Sequence, residues 1–420
     1  MNNTIHYSEL PNGKKNPILK NSKKVLFPFL TLALLISMSF YLSDYNNNES
    51  ILNASEGSPR NSTSPRIQDA KERCNIFKGD WILDPLGQSY YTNETECVID
   101  DRQNCMKFGR KDDEFLKWRW KPDECELPKF DAMQFLEVVR GKTLAFLGDS
   151  VGRNQMQSLV CMLASASYHP KDVSYVPNTT FRRWFYPSHN FTIEALWSPN
   201  LVKANEIDAN GYSATSLMAL HLDKPDEKWS GRIEHVDIVI VSAGHWFFRP
   251  LYLYEKGLLI GCVMCHDKNI TKMSRYHGYK MAFRTTFETL MNKNFKGLVF
   301  LRTFSPSHFE NGDWDKGGSC VRTKPFSKDE MKLDGYALEM YMTQVGEFKK
   351  AEKKGRKMGV KFRMMDTSEA MILRGDGHPN HYGHWPTENK TIADCVHWCM
   401  PGPVETWNEF LLQMLKSERG

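Results

Sequence analysis

Residues 142–150 read KTLAFLGDS. Lys142–Leu147 is a short apolar run of the buried-strand kind, Gly148 breaks it, and Arg153 to about Leu163 has helical spacing. A buried strand handing over to a helix at a glycine is the unit from which the C-terminal two thirds of the chain is built. Val236–Val241 (VDIVIV) is rich in β-branched residues and ends at SAGHW. Met273–Met291 has helical spacing, Gly297–Arg302 (GLVFLR) is a second buried-type strand, and Lys328–Lys354 reads as a long helix. Val360–Met365 supplies another strand and Val404–Leu415 a closing helix. Apolar strands separated by helices predict an α/β fold, with a mostly parallel sheet covered on both faces. Ligands of such sheets gather at the carboxyl ends of the strands.

Upstream, the character changes. Cys74 to about Pro128 is dense in cysteine and tryptophan (CNIFKGDWILD, then NCMKFGRKDDEFLKWRWKPDEC) and lacks long helical patterns. It predicts a small stapled subdomain over 73–130, ahead of a catalytic domain over 131–420. Residues 43–72 are rich in Asn, Ser, Pro and charge without apolar period, as in a flexible stem. Val25–Leu42 (VLFPFLTLALLISMSFYL) carries no charge and is about long enough to span a bilayer. Lys14, Lys15, Lys20, Lys23 and Lys24 precede it and Asp44 follows. The positive-inside rule then predicts a cytosolic tail over 1–24, an anchor over 25–42 and a lumenal remainder. A cleaved signal peptide is the alternative, but the basic region is long and no small-x-small cleavage site follows.

The 420 residues carry a formal charge of only +5, much of it before the anchor, and no basic stripe interleaved with aromatics. A nucleic-acid partner is therefore not expected. All ten cysteines (74, 97, 105, 125, 161, 262, 265, 320, 395 and 399) lie beyond the anchor, an even number suited to disulfides in an oxidising compartment. Asn48, Asn53, Asn61, Asn93, Asn178, Asn190, Asn269 and Asn389 each open an Asn-x-Ser/Thr triplet, compatible with glycosylation on the same side.

Ser150 stands where the first strand gives way to its helix. A serine there is held near backbone N–H groups and positive potential that can stabilise an acyl-transfer oxyanion. The plainer alternative makes Asp149 or Ser150 an N-cap. A nucleophilic serine needs a base, and Asp394-Cys395-Val396-His397 offers one. Three residues apart, Asp394 and His397 would share a face of a helix or helical turn, so that the carboxylate fixes the ring and the far nitrogen faces Ser150. The alternative is a capping Asp and a structural His. An early Gly-Asp-Ser with a late Asp-x-x-His is the order in which SGNH/GDSL-type hydrolases arrange their triad. Asp376-Gly377-His378-Pro379 is a second source of the base. Cys262-x-x-Cys265-His266 spells a haem-attachment pattern and is read as disulfide partners instead. Cys395, His397 and Cys399 could resemble zinc ligands, but oxidising surroundings favour disulfides, and no metal site is expected.

Five blocks (CNIFKGDWILDP, LGDSVGRNQMQSL, FLRTFSPSHFENGDW, DGHPNHYG and DCVHWCMPGPVETWNEFLLQML) together resemble the plant trichome birefringence-like proteins. The resemblance runs from about Cys74 to the C-terminus. It implies an SGNH-like three-layer α/β/α domain, a Cys-rich N-terminal part, a Golgi type II anchor and polysaccharide O-acetyltransferase activity. It places the nucleophile on Ser150, the base on His397 and the orienting carboxylate on Asp394. Many relatives carry Asn after the strand that here ends at Ser242, where this chain has VSAGHWFFRP. The missing amide shifts the expected oxyanion donors to Asn154 and to backbone N–H groups near Ser150 and Gly152. Trp246, Arg302, His308 and Trp398 are the candidates for holding substrate, and Trp184, Phe247, Phe248 and Trp385 extend the possible stacking surface. SAGHWFFRP and the GC-x-x-C loop are more similar to the branch associated with xyloglucan and mannan than to the xylan branch.

The expected partners are therefore a cell-wall polysaccharide, xyloglucan or mannan, an acetyl donor and the Golgi membrane, with no bound cofactor. The same triad could instead serve an acetylesterase. A non-catalytic polysaccharide-binding protein fits the stem and the aromatic content but leaves the Ser/Asp/His set without a use.

Overall fold

The chain is described by a computed structural model over residues 74–419, excepting 86–88, 93, 98, 167, 175–180, 209–215, 294 and 386–391. The anchor at 25–42 and the stem at 43–72 lie outside the described residues, as do six of the sequons. Asn190 and Asn269 are described, and both are exposed. Among the described residues no helix is long and apolar enough to cross a membrane.

Strands β1 (Gly79–Leu83) and β2 (Trp118–Pro122) pair antiparallel. The main sheet contains β3 (Thr143–Gly148), β4 (Lys171–Asp172), β5 (Arg183–Tyr186), β6 (Phe191–Trp197), β9 (Ile238–Ser242), β12 (Leu298–Arg302) and β13 (Lys361–Met365). A third sheet contains β7 (Val202–Glu206), β8 (Met218–Pro225), β10 (Leu251–Glu255) and β11 (Leu258–Val263). The helices are α1 (Ala132–Val138), α2 (Ser150–Ser165), α3 (Glu227–Ser230), α4 (Arg275–Asn292), α5 (Gly335–Met358), α6 (Ser368–Ile372) and α7 (Glu405–Ser417).

Five strands of the main sheet run parallel, in the order β13, β12, β9, β3, β6, and β5 and β4 continue it antiparallel beyond β6. Counted along the chain, the parallel strands lie in the order second, first, third, fourth, fifth. The winding therefore reverses between β3 and β9, which opens a crevice at their carboxyl ends. Side chains alternate across the sheet as the strand period requires. Leu144, Phe146, Ile238, Ile240, Leu298 and Phe300 face one core, shared with α2 and α7. Ala145, Leu147, Val239, Val241, Val299 and Leu301 face the other, shared with α4 and α5. Apolar residues on both faces are why these strands read as unbroken hydrophobic runs.

The N-terminal segment joins the first of these cores. Trp81 and Trp120 meet edge to face at 5.6 Å in the same cluster as Phe410 and Leu411 of α7. The Trp81 indole N–H donates to the Ala370 carbonyl at 2.7 Å. Cys74–Cys125 staples the β1–β2 unit, and Cys97–Cys161 ties the segment to α2.

Three sequence expectations change. The long helix begins at Gly335, not Lys328, because Glu330 turns back to accept from the Ser327 N–H at 2.8 Å and closes a local turn. It ends at Gly359, whose φ of 75° terminates the helix in the left-handed conformation. Strand β6 (FTIEALW) escaped the apolar criterion because Glu194 sits in its middle. That carboxylate is buried and paired with Arg183 at 2.6 Å and His235 at 3.2 Å. The third, mixed sheet was also not anticipated, its strands β7 and β8 being too rich in charge (VKANE, MALHLDKP).

Candidate active site

Strand β3 ends at Gly148, opposite Ser242 of β9 and Trp197 of β6. The Gly148 φ is +148°, and a Cβ there would lie 1.6 Å from the Ser242 carbonyl oxygen. Only glycine fits this close approach. The chain then turns at Asp149, the N-cap of α2. Its Oδ1 accepts from the N–H groups of Val151 at 3.0 Å and Gly152 at 3.4 Å, while Oδ2 accepts from the Gly244 N–H at 2.9 Å. One buried carboxylate thus caps the helix and straps it to the segment after β9. Ser150 is the first residue of α2 and is half-buried.

The C-terminal loop delivers its partner. His397 Nε2 lies 2.6 Å from Ser150 Oγ, and His397 Nδ1 lies 2.7 Å from Asp394 Oδ2. With Nδ1–H donating to the carboxylate, Nε2 presents its lone pair to the Ser150 hydroxyl. Asp394 and His397 do not share a helical face as the spacing suggested. The segment is a loop in which Asp394 Oδ1 accepts from the N–H groups of Val396 at 3.1 Å and His397 at 2.9 Å. This side-chain cap folds the turn and brings the two groups together. Burial raises the Asp394 carboxyl, but the His397 ring and these N–H donors outweigh it and hold it well below the usual carboxylate range.

The remaining candidates are distributed differently. Asn154 is fully buried and grips Trp398 by both its ends. Its Oδ1 accepts from the Trp398 N–H at 2.7 Å and its Nδ2 donates to the Trp398 carbonyl at 3.3 Å. Its amide therefore fixes the His397 loop to α2, and the Gly152 N–H is directed to Asp149. Trp398 does not offer a sugar platform, because it is fully buried, with its indole N–H donating to Ser305 Oγ at 3.0 Å. Arg302 lies under the site, bonded to Ser242 Oγ with its guanidinium 4.1 Å from the Trp407 ring centre. Burial lowers it to about 10, although Asp149 and Tyr279 favour its charge. His308 is likewise buried, and its ring meets His378, so neither Arg302 nor His308 is open to substrate. The rival base, His378, donates from Nδ1 to the His397 carbonyl at 2.6 Å and acts as scaffold.

Of the four substrate candidates, Trp246 alone is only partly buried. It meets Trp197 edge to face at 5.7 Å, and Trp197 lies 5.2 Å from the Arg153 guanidinium, one turn along α2 from Ser150. Trp184 and Phe247 are buried, Phe248 is partly so, and Trp385 is 49% exposed. Trp197 and His245 were missed from sequence. Trp197 was hidden by the unrecognised strand β6. His245 Nε2 donates to the Ser305 carbonyl at 2.9 Å, and burial lowers its pKa against the opposing pull of Asp149.

Two disulfides bracket His397: Cys320–Cys395 on one side and Cys105–Cys399 on the other. Cys262 pairs with Cys265. These bonds occupy the sulfurs that a zinc site or a haem thioether would have needed.

A doubly wound sheet presenting serine, histidine and aspartate at its carboxyl edge defines the SGNH class of α/β proteins. The chain belongs to the GDSL/SGNH-like acyl-esterase family found in Pmr5 and Cas1p, matched by residues 127–414, and residues 72–126 match the PMR5 N terminal Domain. It is 48% identical to protein trichome birefringence-like 20 of Arabidopsis thaliana over 83% of this chain and 73% of that protein. It is 40% identical to xyloglucan O-acetyltransferase 4 of Populus trichocarpa over 96% of this chain and 95% of the relative. Identity to xyloglucan O-acetyltransferase 2 of Arabidopsis thaliana is 41%, over 82% of this chain and 83% of that one.

Proposed function

We propose that the protein is a polysaccharide O-acetyltransferase that acetylates xyloglucan through an acetyl-serine intermediate. The observation that carries the mechanism is the continuous chain Ser150 Oγ, His397, Asp394, with contacts of 2.6 and 2.7 Å. The acetyltransferase class and the xyloglucan acceptor rest on the relatives that bear that name and on the extent of the match to them.

In the first half-reaction His397 Nε2 takes the Ser150 proton as Oγ attacks the acetyl carbonyl of the donor. The imidazolium, steadied by Asp394, returns that proton to the leaving group, and acetyl-Ser150 remains. The N-terminus of α2, whose first residue is Ser150, supplies positive potential where the oxyanion develops. In the second half-reaction a sugar hydroxyl gives its proton to His397, attacks the acetyl carbon, and releases Ser150 Oγ, which recovers the proton. Trp246 and Trp197 are the aromatic faces suited to stack the acceptor's pyranose rings.

The same reading makes Val25–Leu42 a type II anchor in the Golgi membrane, with the enzyme in the lumen. The lysines before that stretch and the five disulfides beyond it support this orientation.

Mass spectrometry of the protein incubated with an acetyl donor tests the mechanism. Acetyl is expected on Ser150 and absent from a folded Ser150→Ala variant; unaltered transfer in that variant would reject the scheme. Side-by-side xyloglucan, glucomannan and xylan oligosaccharides test the acceptor, with xyloglucan expected to gain acetate. Loss of acetate from pre-acetylated polymer with no gain on bare polymer would mark an esterase instead.

A further inference from the structure

Behind the His397 loop, two buried imidazoles form a chain whose hydrogens do not add up for neutral rings. His308 Nε2 lies 2.8 Å from the Ile372 carbonyl oxygen, His308 Nδ1 lies 2.7 Å from His378 Nε2, and His378 Nδ1 lies 2.6 Å from the His397 carbonyl oxygen. A carbonyl oxygen only accepts, so the nitrogen at each end of the chain carries a hydrogen. A neutral imidazole has a single N–H, which leaves the two facing nitrogens with lone pairs alone. At 2.7 Å that contact requires a proton between them. Three hydrogen bonds on two rings amount to one net positive charge.

We propose that His308 and His378 share one proton in an N–H···N bond, forming a buried cation that positions the His397 main chain. The proton comes from solvent, and no other bond is made or broken. The surroundings contain groups of both signs. Asp376 favours charge on His308 and Arg322 opposes it; Asp394 favours charge on His378 and the His397 ring opposes it. Arg374 pairs with Asp376, while Arg110 donates to the carbonyls of Asp376 and His378. The Trp398 ring stacks on His378 with centres 4.1 Å apart and planes at 24°, a face well suited to a cation. Burial works against the charge, drawing His308 down to about 4 and His378 well below the ordinary imidazole value. Two neutral rings, however, would set lone pair against lone pair, or aim a lone pair at a carbonyl oxygen.

The effect on catalysis rests on reading His397 as the base. The bond from His378 Nδ1 to the His397 carbonyl holds the loop that presents that ring to Ser150.

The test uses full-length protein in detergent, labelled with 15N-histidine, at about pH 6. A far-downfield proton resonance shared by nitrogens of two histidines is expected, and it disappears in His308→Asn and His308→Leu. Two neutral rings without that resonance overturn the proposal. The second readout is the rate of Ser150 labelling by a fluorophosphonate at fixed pH. Asn at 308 can donate its amide N–H to His378 without carrying charge, so it separates positioning from electrostatics. Labelling is expected to slow in His308→Leu and to recover toward the unaltered rate in His308→Asn; an unaltered rate in folded His308→Leu overturns the positioning role. If Ser150 fails to label in the unaltered protein, the triad reading fails, while the spectrum still decides the shared proton.

Discussion

At the scale of single residues, the site depends on side chains that do two things at once. Asp149 caps α2 with one oxygen and holds Gly244 with the other, so the serine's elbow and the turn after β9 move together. Asp394 folds its own loop with Oδ1 and orients His397 with Oδ2. Asp394→Asn can keep its one oxygen for the loop N–H groups, which puts an amide NH2 in place of the carboxylate oxygen against the ring. The turn should survive while the rate of acetyl-Ser150 formation falls by roughly 10³–10⁴-fold, measured by rapid-quench mass spectrometry. Ser150, His397 and Asp394 were legible because each has a side chain whose chemistry is read from its type and order. The acceptor candidates were not, since Trp398, Arg302 and His308 look the same in a sequence whether buried or exposed. Only packing against Trp407, His378 and Ser305 distinguishes them.

At the scale of elements, the parallel strands were legible wherever both faces are apolar, as in β3, β9 and β12. They were illegible where a buried ion pair replaces an apolar contact, as Glu194 does in β6. Helix α7 carries a comparable hidden pair. Glu405 is buried and Glu409, one turn on, partly so, and they accept from Tyr91 and Tyr90 at 2.5 Å each. Burial raises Glu405 to about 8 and Glu409 to about 7. An acid whose folded pKa is raised is protonated in the fold while already ionised in the unfolded chain. Stability from this pair is therefore fully present below the ordinary glutamate value of 4.5 and is lost as pH rises toward 8. Thermal unfolding should show a lower Tm at pH 8 than at pH 5, with a loss on the order of a few kcal/mol. Glu405→Gln, neutral at every pH, should flatten that slope; an unchanged slope would assign it to other groups.

At the scale of the whole described chain, the Cys-rich segment and the α/β domain belong to one compact unit. The sequence divided them at about residue 130 because their composition changes there, and composition does not report that Trp81 and Trp120 complete a core shared with α7. Disulfide partners were illegible for a similar reason, since pairing depends on which cysteines the fold brings together. Their placement around His397 leads to a contrast. Cys105→Ser with Cys399→Ser should cost about 2–5 kcal/mol in denaturant unfolding and slow fluorophosphonate labelling of Ser150. Cys262→Ser with Cys265→Ser, a pair only 3 residues apart, should leave that labelling rate unchanged.

The bond between Cys105 and Cys399 spans 294 residues. During synthesis Cys105 therefore emerges long before its partner, and Cys399 follows His397 by only two positions. A reduced chain lacks the covalent tie that fixes the His397 loop to the Cys-rich segment. Placement of that imidazole against Ser150 is thus tied to the oxidising conditions that close the bond.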